Sequence, residues 1–372
     1  MTDLSQKVLS KYVIKNASLV NRLAVAPMTR VSATEDGLLT PAMHDYYLRF
    51  AKGGFGLIIS EGLYTDQAFS QGYLYQPGLV SDAQACSWTA TNQALQQQGT
   101  KVFAQLMHAG ALSQGNRFSK RSAAPSAVQP VGEQMPFYYG VGRYNEPLEL
   151  SEVQIAEVIQ GFVDAAVRAV NISGFDGIEI HGAHGYLLDQ FLTTYTNQRQ
   201  DRWGGDIHAR VALLLGIVKA IKAELGSKVP VGMRISQSKV NDFVYKWPGG
   251  EADAQVIFSS LAQAGADFIH VSEYRAWQPA FAGGQETLVA LARRYAPGLT
   301  IIANGSLLDI GRANDALHDG ADLIAQGEGA LSNPDLPLLY ASGREPRPFD
   351  NVILGPIANI KDSELAFGAE YA

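Results

Sequence analysis

The chain has 372 residues, 47% of them apolar and 17% charged, a balance that fits a folded globular protein with a substantial core and excludes a disordered one. Its 29 basic and 36 acidic residues give a formal charge of -7 with no long Lys/Arg cluster, so the expected partner is a small molecule, with no nucleic acid and no membrane surface. The amino-terminal MTDLSQKVLSKY is polar and no run reaches the roughly 18 apolar residues of a membrane span, which predicts a cytoplasmic protein.

In chain order, the residues before Arg22 (KYVIKNASLV) read as a small N-terminal hairpin, placed to close the bottom of a barrel. From about residue 20 to about residue 345, short β-branched apolar runs alternate with amphipathic stretches, the pattern of βα units around a parallel sheet. The runs are Arg22–Met28, Phe55–Glu61, Lys101–His108, Gly177–His181, Val229–Ser236, Phe268–Ser272, Leu299–Asn304 and Ala321–Gln326. This alternation predicts an α/β fold, a (β/α)8 TIM barrel organised as a single domain over residues 1–372, with an open doubly wound sheet as the alternative.

Helix starts fall between the strands. Thr40-Pro41 and Asn333-Pro334 each set a capping side chain before a proline at the first helical position. Ser81 to Gln84 and Ser151 to Gln154 have the spacing of capping boxes, and the second opens a stripe of Val158, Ile159, Phe162, Val163 and Val167. Long loops break the rhythm after strands three and five. Residues 110–150 form a capping excursion with Phe137, Tyr138, Tyr139 and Tyr144, and Gln237–Gly250 carries Tyr245 and Trp247. Loops of such length are usually functional, so the tyrosines either line a pocket or tuck onto the rim. The lone cysteine, Cys86, excludes an internal disulfide and any CxxC site, and its helical surroundings predict a buried, inert thiol.

Unusual polar side chains gather at the strands' carboxyl ends: Thr29, Gln105, His108, His181, His184 and Arg234. In a barrel that face carries the chemistry. His181 and His184 can converge on one acceptor oxygen, and Tyr186 can supply a proton a few ångströms away, which makes an electrophile-activating site. A metal site stays open as an alternative, but it needs further ligands and nothing here forms HxH or HExxH. Gln105 and Arg234 suit the edge of a flat, electron-rich heterocycle, as an amide that donates and accepts and a guanidinium that stabilises negative charge on a reduced ring. The competing reading has the two satisfying each other beneath the barrel mouth. His270, alone on its strand, reads as a hydrogen-bonded core residue.

These residues lie in long motifs that resemble the Old Yellow Enzyme family of FMN-dependent NAD(P)H oxidoreductases: NRLAVAPMTR, ISEG, AQLMHAG, HGAHGYLLDQFLTTYTNQRQDRWGGD, VGMRIS and NPDLP. The resemblance implies bound FMN, reduced by NADPH or NADH, and ping-pong ene-reductase chemistry. By that resemblance hydride would pass through flavin N5 to Cβ of an electron-poor alkene (enone, enal, maleimide or nitroalkene), and Tyr186 would protonate Cα. It also implies that Pro27, Met28 and Thr29 pack on and bond the flavin, with Gly62 under the ring where relatives usually carry alanine. Gln105 would hold the pyrimidine edge and Arg234 the N1/O2 side. His181 and His184 would bind the substrate oxygen, His181 lying also against the cofactor, with Met107 in the substrate pocket and no metal. Relatives occur as monomers, dimers and tetramers, and a homo-oligomer is the expectation.

The phosphate end departs from the pattern. Relatives use a Gly-Gly turn after strand seven and a Gly-Arg pair after strand eight, whereas this chain has Gly305-Ser306 and Gly327-Glu328. Backbone N–H groups and a helix starting near Asp309 are left to bind the dianion. Glu328 is expected to face outward, and Arg275 is a candidate replacement cation. Two rival readings accompany this departure: a flavin-free barrel hydrolase or lyase acting on a phosphorylated substrate, and a non-catalytic flavoprotein.

Overall fold

The structure, a computed structural model, describes residues 7–366. Its centre is a closed ring of parallel strands: β1 (Leu23–Val25), β2 (Leu57–Ile59), β3 (Lys101–Met107), β4 (Gly177–His184), β5 (Val231–Lys239), β6 (Phe268–Ser272), β7 (Thr300–Asn304) and β8 (Leu323–Gln326). Each pairs with the next, and β8 pairs back to β1, so the sheet is the expected barrel rather than an open one. The outer layer consists of α1 (Pro41–Lys52), α2 (Asp82–Gln97), α3 (Glu152–Asn171), α4 (Ile207–Leu225), α5 (Glu251–Gln263), α6 (Leu288–Tyr295), α7 (Ile310–His318) and α8 (Leu336–Ser342).

Strand ends differ from the apolar runs for identifiable reasons. β1 stops early because Pro27 has no N–H to donate, and the last rung is Ala26 N–H to Gln326 O at 2.9 Å. β4 and β5 instead outrun their sequence patterns. Past a register shift after Ile235, Lys239 pairs with His184, which carries the strand pair above the barrel rim. The second excursion is correspondingly shorter, and Trp247 within it is buried in the main core.

Caps account for most helix starts. Thr40 accepts from Met43 N–H before α1, and Ser151 and Gln154 form a full capping box before α3. Ser81 caps α2, but Gln84 turns its side chain to Val80 N–H, Tyr64 and Asp36, so that box is only half made. The expected start at Asn333-Pro334 is corrected. Asn333 closes the preceding short helix Glu328–Ser332, donating to Gly329 O and Arg347 O, and α8 begins at Leu336 with Pro337 in its first turn. Cys86 is likewise corrected: it sits on the exposed face of α2.

Inside the barrel, side chains alternate with period two and change character along each strand. The lower layer is apolar. Phe103 and Phe268 lie with ring centroids 5.6 Å apart in a cluster with Leu57, Ile59, Ile302 and Leu323. Glycine makes room for both rings: a Cβ on Gly177 would stand 2.6 Å from Phe103, and one on Gly232 would stand 2.4 Å from Phe268. The hairpin of Tyr12–Ile14 and Ala17–Leu19 plugs the bottom, burying Ile14, Ala17 and Leu19 in the same cluster. Two residues further up each strand, Phe103 gives way to Gln105, Gly177 to Glu179, Gly232 to Arg234 and Phe268 to His270. The carboxyl end of the barrel is therefore a polar floor built on a sealed apolar base.

Candidate active site

β4 carries His181 opposite Arg234, and its extension ends at His184. His184 adopts φ 61° and Gly185 φ 84°, left-handed geometry that costs a non-glycine residue on the order of 1 kcal/mol and needs outside support. The support is buried. Asp189, on the short helix Leu187–Leu192, accepts Gly185 N–H at 2.6 Å and pairs with Lys239 at 2.7 Å, while Gln190 Nε2 donates to Gly185 O at 2.7 Å. The turn aims Tyr186 back over the barrel, its ring edge-on to His181 at 5.0 Å, with the two imidazoles 5.2 Å apart and nearly perpendicular.

Burial, reinforced by the positive charge of Arg234, holds both imidazoles well below the ordinary histidine range, so they are neutral. The Nδ1 of His181 accepts Ala183 N–H at 3.3 Å, which leaves the proton on Nε2 as the ring's donor. His184 differs from the expectation of a free pair, since its Nε2 already lies 3.0 Å from Ser272 Oγ. Ser272 in turn donates to Asn304 Oδ1 at 2.9 Å. Burial pushes the Tyr186 phenol up to about 12, against the pull of the Tyr73 hydroxyl bonded to it, so it holds its proton at neutral pH.

Among the described residues, buried Arg234 donates only to Asn304 Oδ1 at 2.7 Å and Ser272 Oγ at 3.2 Å, with its Nε unpartnered. Burial lowers it to about 10, which still leaves it charged. A buried guanidinium without a bonded carboxylate is costly unless an electron-rich partner faces it. Gln105 does not satisfy it. Its amide donates to Glu179 Oε1 at 2.8 Å, and the other oxygen of Glu179 lies 2.7 Å from His270 Nδ1. That bond fixes the amide and leaves its oxygen as an acceptor.

Met107 ends β3 beside Gly62, where an added Cβ would lie 2.5 Å from Met107 Sδ and 3.0 Å from its Cβ. Pro27, Met28 and Thr29 are half-buried at the end of β1. Tyr138 reaches in from the long excursion to donate to Thr29 O at 3.2 Å. On the far side of Asn304, a cleft of about 380 Å³ is lined by Gly305, Ser306, Asp309, Arg312, Gly327 and Glu328 among others. Asp309 caps α7 as expected.

A model of the NADH:flavin oxidoreductase / NADH oxidase family matches residues 12–346. The chain belongs to the Old Yellow Enzyme family. It is similar to the NADH oxidase of Thermoanaerobacter brockii (33% identity over 345 residues, 89% of this chain and 50% of that one). It is also similar to 12-oxophytodienoate reductase 7 of rice (31% identity, 88% of this chain and 86% of that one). It spans half the length of the first. Among solved structures it superimposes on the Old Yellow Enzyme homologue of Zymomonas mobilis with TM-score 0.86 and 27% identity, covering 97% of this chain and 99% of that one.

In this Old Yellow Enzyme family member, His181, His184, Tyr186, Gln105, Arg234 and Met107 gather at one end of the polar floor, and Gly305, Ser306, Gly327 and Glu328 at the other. Asn304 joins the two ends, since it bonds Arg234 and also lines the cleft. Glu328 is exposed, yet it lines the cleft wall. Arg275 does not line the cleft and lies over the Tyr274 ring at 5.4 Å. The cation that does line it is Arg312, stacked on Trp277 at 4.0 Å. Sequence reasoning passed over Tyr73, Ser272, Asn304 and the hub role of Glu179. For Glu179 a signal existed: a carboxylate alternating with Ile178 and Ile180 on a barrel strand must face the interior. Nothing in the sequence marks Tyr73.

Proposed function

We propose that this Old Yellow Enzyme family oxidoreductase is an FMN-dependent ene-reductase acting on enones, enals, maleimides and nitroalkenes. The observation that carries the reading is the combination of two neutral imidazoles, a protonated phenol and a buried guanidinium with no bonded carboxylate. The residues present fit FMN. The orphaned Arg234 Nε and the free oxygen of Gln105 match the acceptor and donor pattern of the isoalloxazine edge. Pro27, Met28, Thr29 and Gly62 would pack on the ring, and the backbone of Gly305, Ser306, Gly327 and Glu328 with Arg312 would hold the phosphate.

When bound, FMN supplies hydride taken from NADH or NADPH to the substrate's Cβ. The protein does the rest. His181 Nε2–H donates to the carbonyl or nitro oxygen, and His184 joins it by releasing Ser272. Tyr186 gives its proton to Cα, while the apolar base beneath the floor and the tyrosines above it keep bulk water out.

The test is anaerobic spectroscopy of the purified protein. Bound-flavin absorbance should bleach with NADH or NADPH and return on adding cyclohexenone or maleimide. A protein that binds no flavin, or that bleaches but never returns with any activated alkene, refutes the proposal. The double variant His181→Ala, His184→Ala should lower enone turnover on the order of 10²-fold or more.

A further inference from the structure

We propose that Tyr73 is a positioning residue for the proton transfer: its hydroxyl donates to the Tyr186 oxygen, which turns the Tyr186 proton toward the substrate and stabilises the phenolate left when that proton departs. The inference rests on the ene-reductase reading above.

Tyr73 is fully buried in a cluster with Met107, Leu112, Tyr144 and Tyr186. Its ring packs on Tyr138 with centroids 4.7 Å apart. Its backbone is clasped on both sides, as Tyr73 N–H donates to Gln76 Oε1 at 3.3 Å and Tyr73 O accepts from Gln71 Nε2 at 3.0 Å. The hydroxyl makes one hydrogen bond among the described residues, to the Tyr186 hydroxyl.

Two hydroxyls sharing one bond leave a choice of donor. Were Tyr186 to donate, its proton would be held away from the substrate, and the Tyr73 proton would be buried without an acceptor. With Tyr73 donating, its proton is satisfied and the Tyr186 O–H is free to point across His181 into the site. Burial raises both phenols, and Tyr73 the more strongly, so Tyr186 is the member of the pair that ionises.

The chemistry balances on that basis. With hydride supplied to Cβ, the alkene π pair would take the Tyr186 proton at Cα. The Tyr186 O–H bond breaks with its electron pair kept on oxygen. Tyr73 keeps its own proton throughout, and its bond to the new phenolate becomes charge-assisted and stronger. Water returns a proton to Tyr186 after product leaves.

The test compares half-reactions of the flavin-loaded enzyme in stopped flow. Tyr73→Phe should bleach with NADPH at the parent rate and reoxidise with ferricyanide, which needs no proton at carbon, at the parent rate. Its reoxidation by cyclohexenone should slow on the order of 10-fold with a larger solvent deuterium isotope effect. Tyr186→Phe should slow that step further, and adding Tyr73→Phe to it should change nothing more. Parent-rate reoxidation of Tyr73→Phe by cyclohexenone, or equal slowing with ferricyanide, overturns the role of Tyr73 while leaving Tyr186 in place. Parent-rate reoxidation of Tyr186→Phe overturns the reading of Tyr186 itself, and Tyr73 with it.

Discussion

Glu61 shows how burial sets charge at the scale of one residue. It is fully buried beneath the turn after β1, and it accepts from Arg30 N–H at 3.1 Å and Tyr47 O–H at 3.3 Å. Burial pushes its carboxyl from 4.5 up to about 7. A folded-state value above the unfolded one means the folded protein binds the proton more tightly. The stability this contributes is complete below about pH 4.5 and is lost as pH rises through about 7, roughly 3 kcal/mol in all. The glutamine variant has no such proton to lose. Thermal unfolding of Glu61→Gln and its parent should therefore diverge in the variant's favour between pH 5 and 8, and a pH-independent difference would refute the assignment. His181 and His184 act in the opposite window. Their depressed values give stability that is present above pH 6.5 and lost as pH falls below it, so only the difference between the two proteins isolates Glu61.

Two arrangements belong to the elements. The first is the β4–β5 extension, where Lys239 and His184 pair above the rim and the buried Lys239–Asp189 bridge holds Gly185. The second is the pair of loops after β7 and β8. Their cleft carries Glu273, Asp309 and Glu328, with Arg312 as the cation among its lining residues. Glu273 is engaged by Lys246 at 3.0 Å and Asp309 by the α7 cap, so Glu328 is the carboxylate that a phosphate bound in this cleft would meet. Flavin fluorescence titration of the apoprotein can separate ring from phosphate. Arg312→Ala should weaken FMN binding about 10-fold and leave riboflavin, which lacks the phosphate, unchanged. Glu328→Arg should strengthen FMN alone. Equal effects of Arg312→Ala on both flavins would place Arg312 outside the phosphate site.

At the scale of the molecule, the segment 358–364 is tied to the turn after β1. Arg30, fully buried, makes a two-pronged ion pair with Glu364 and donates to Ala358 O and Asn359 O, each at 3.0 Å. Arg49 donates to the same carboxylate at 3.2 Å, and both guanidiniums lie over the Tyr46 ring. Glu364→Gln leaves two buried cations without a carboxylate in ion-pair reach among the described residues. It should cost about 3 kcal/mol or more in chemical denaturation. A loss under about 1 kcal/mol would show that the clasp opens to water.

The barrel and the gathering of polar side chains at its carboxyl end were legible in the sequence because both rest on local information. Apolar runs at βα spacing determine the strand number, and period-two alternation determines that Gln105, His181 and Arg234 share the inward face. The HGAHGY and NRLAVAPMTR motifs identify the family, and Thr40-Pro41 and the Ser151 box start their helices without tertiary help. Contacts between distant segments were decided only by folding. Tyr73 meets Tyr186 across 113 positions, Arg30 meets Glu364 across 334, and Arg312 rather than Arg275 lines the cleft beside the β7 and β8 loops. Local pattern holds no record of such pairings, because closing a chain into a barrel brings every strand's carboxyl end to one rim regardless of how far apart those ends lie in sequence.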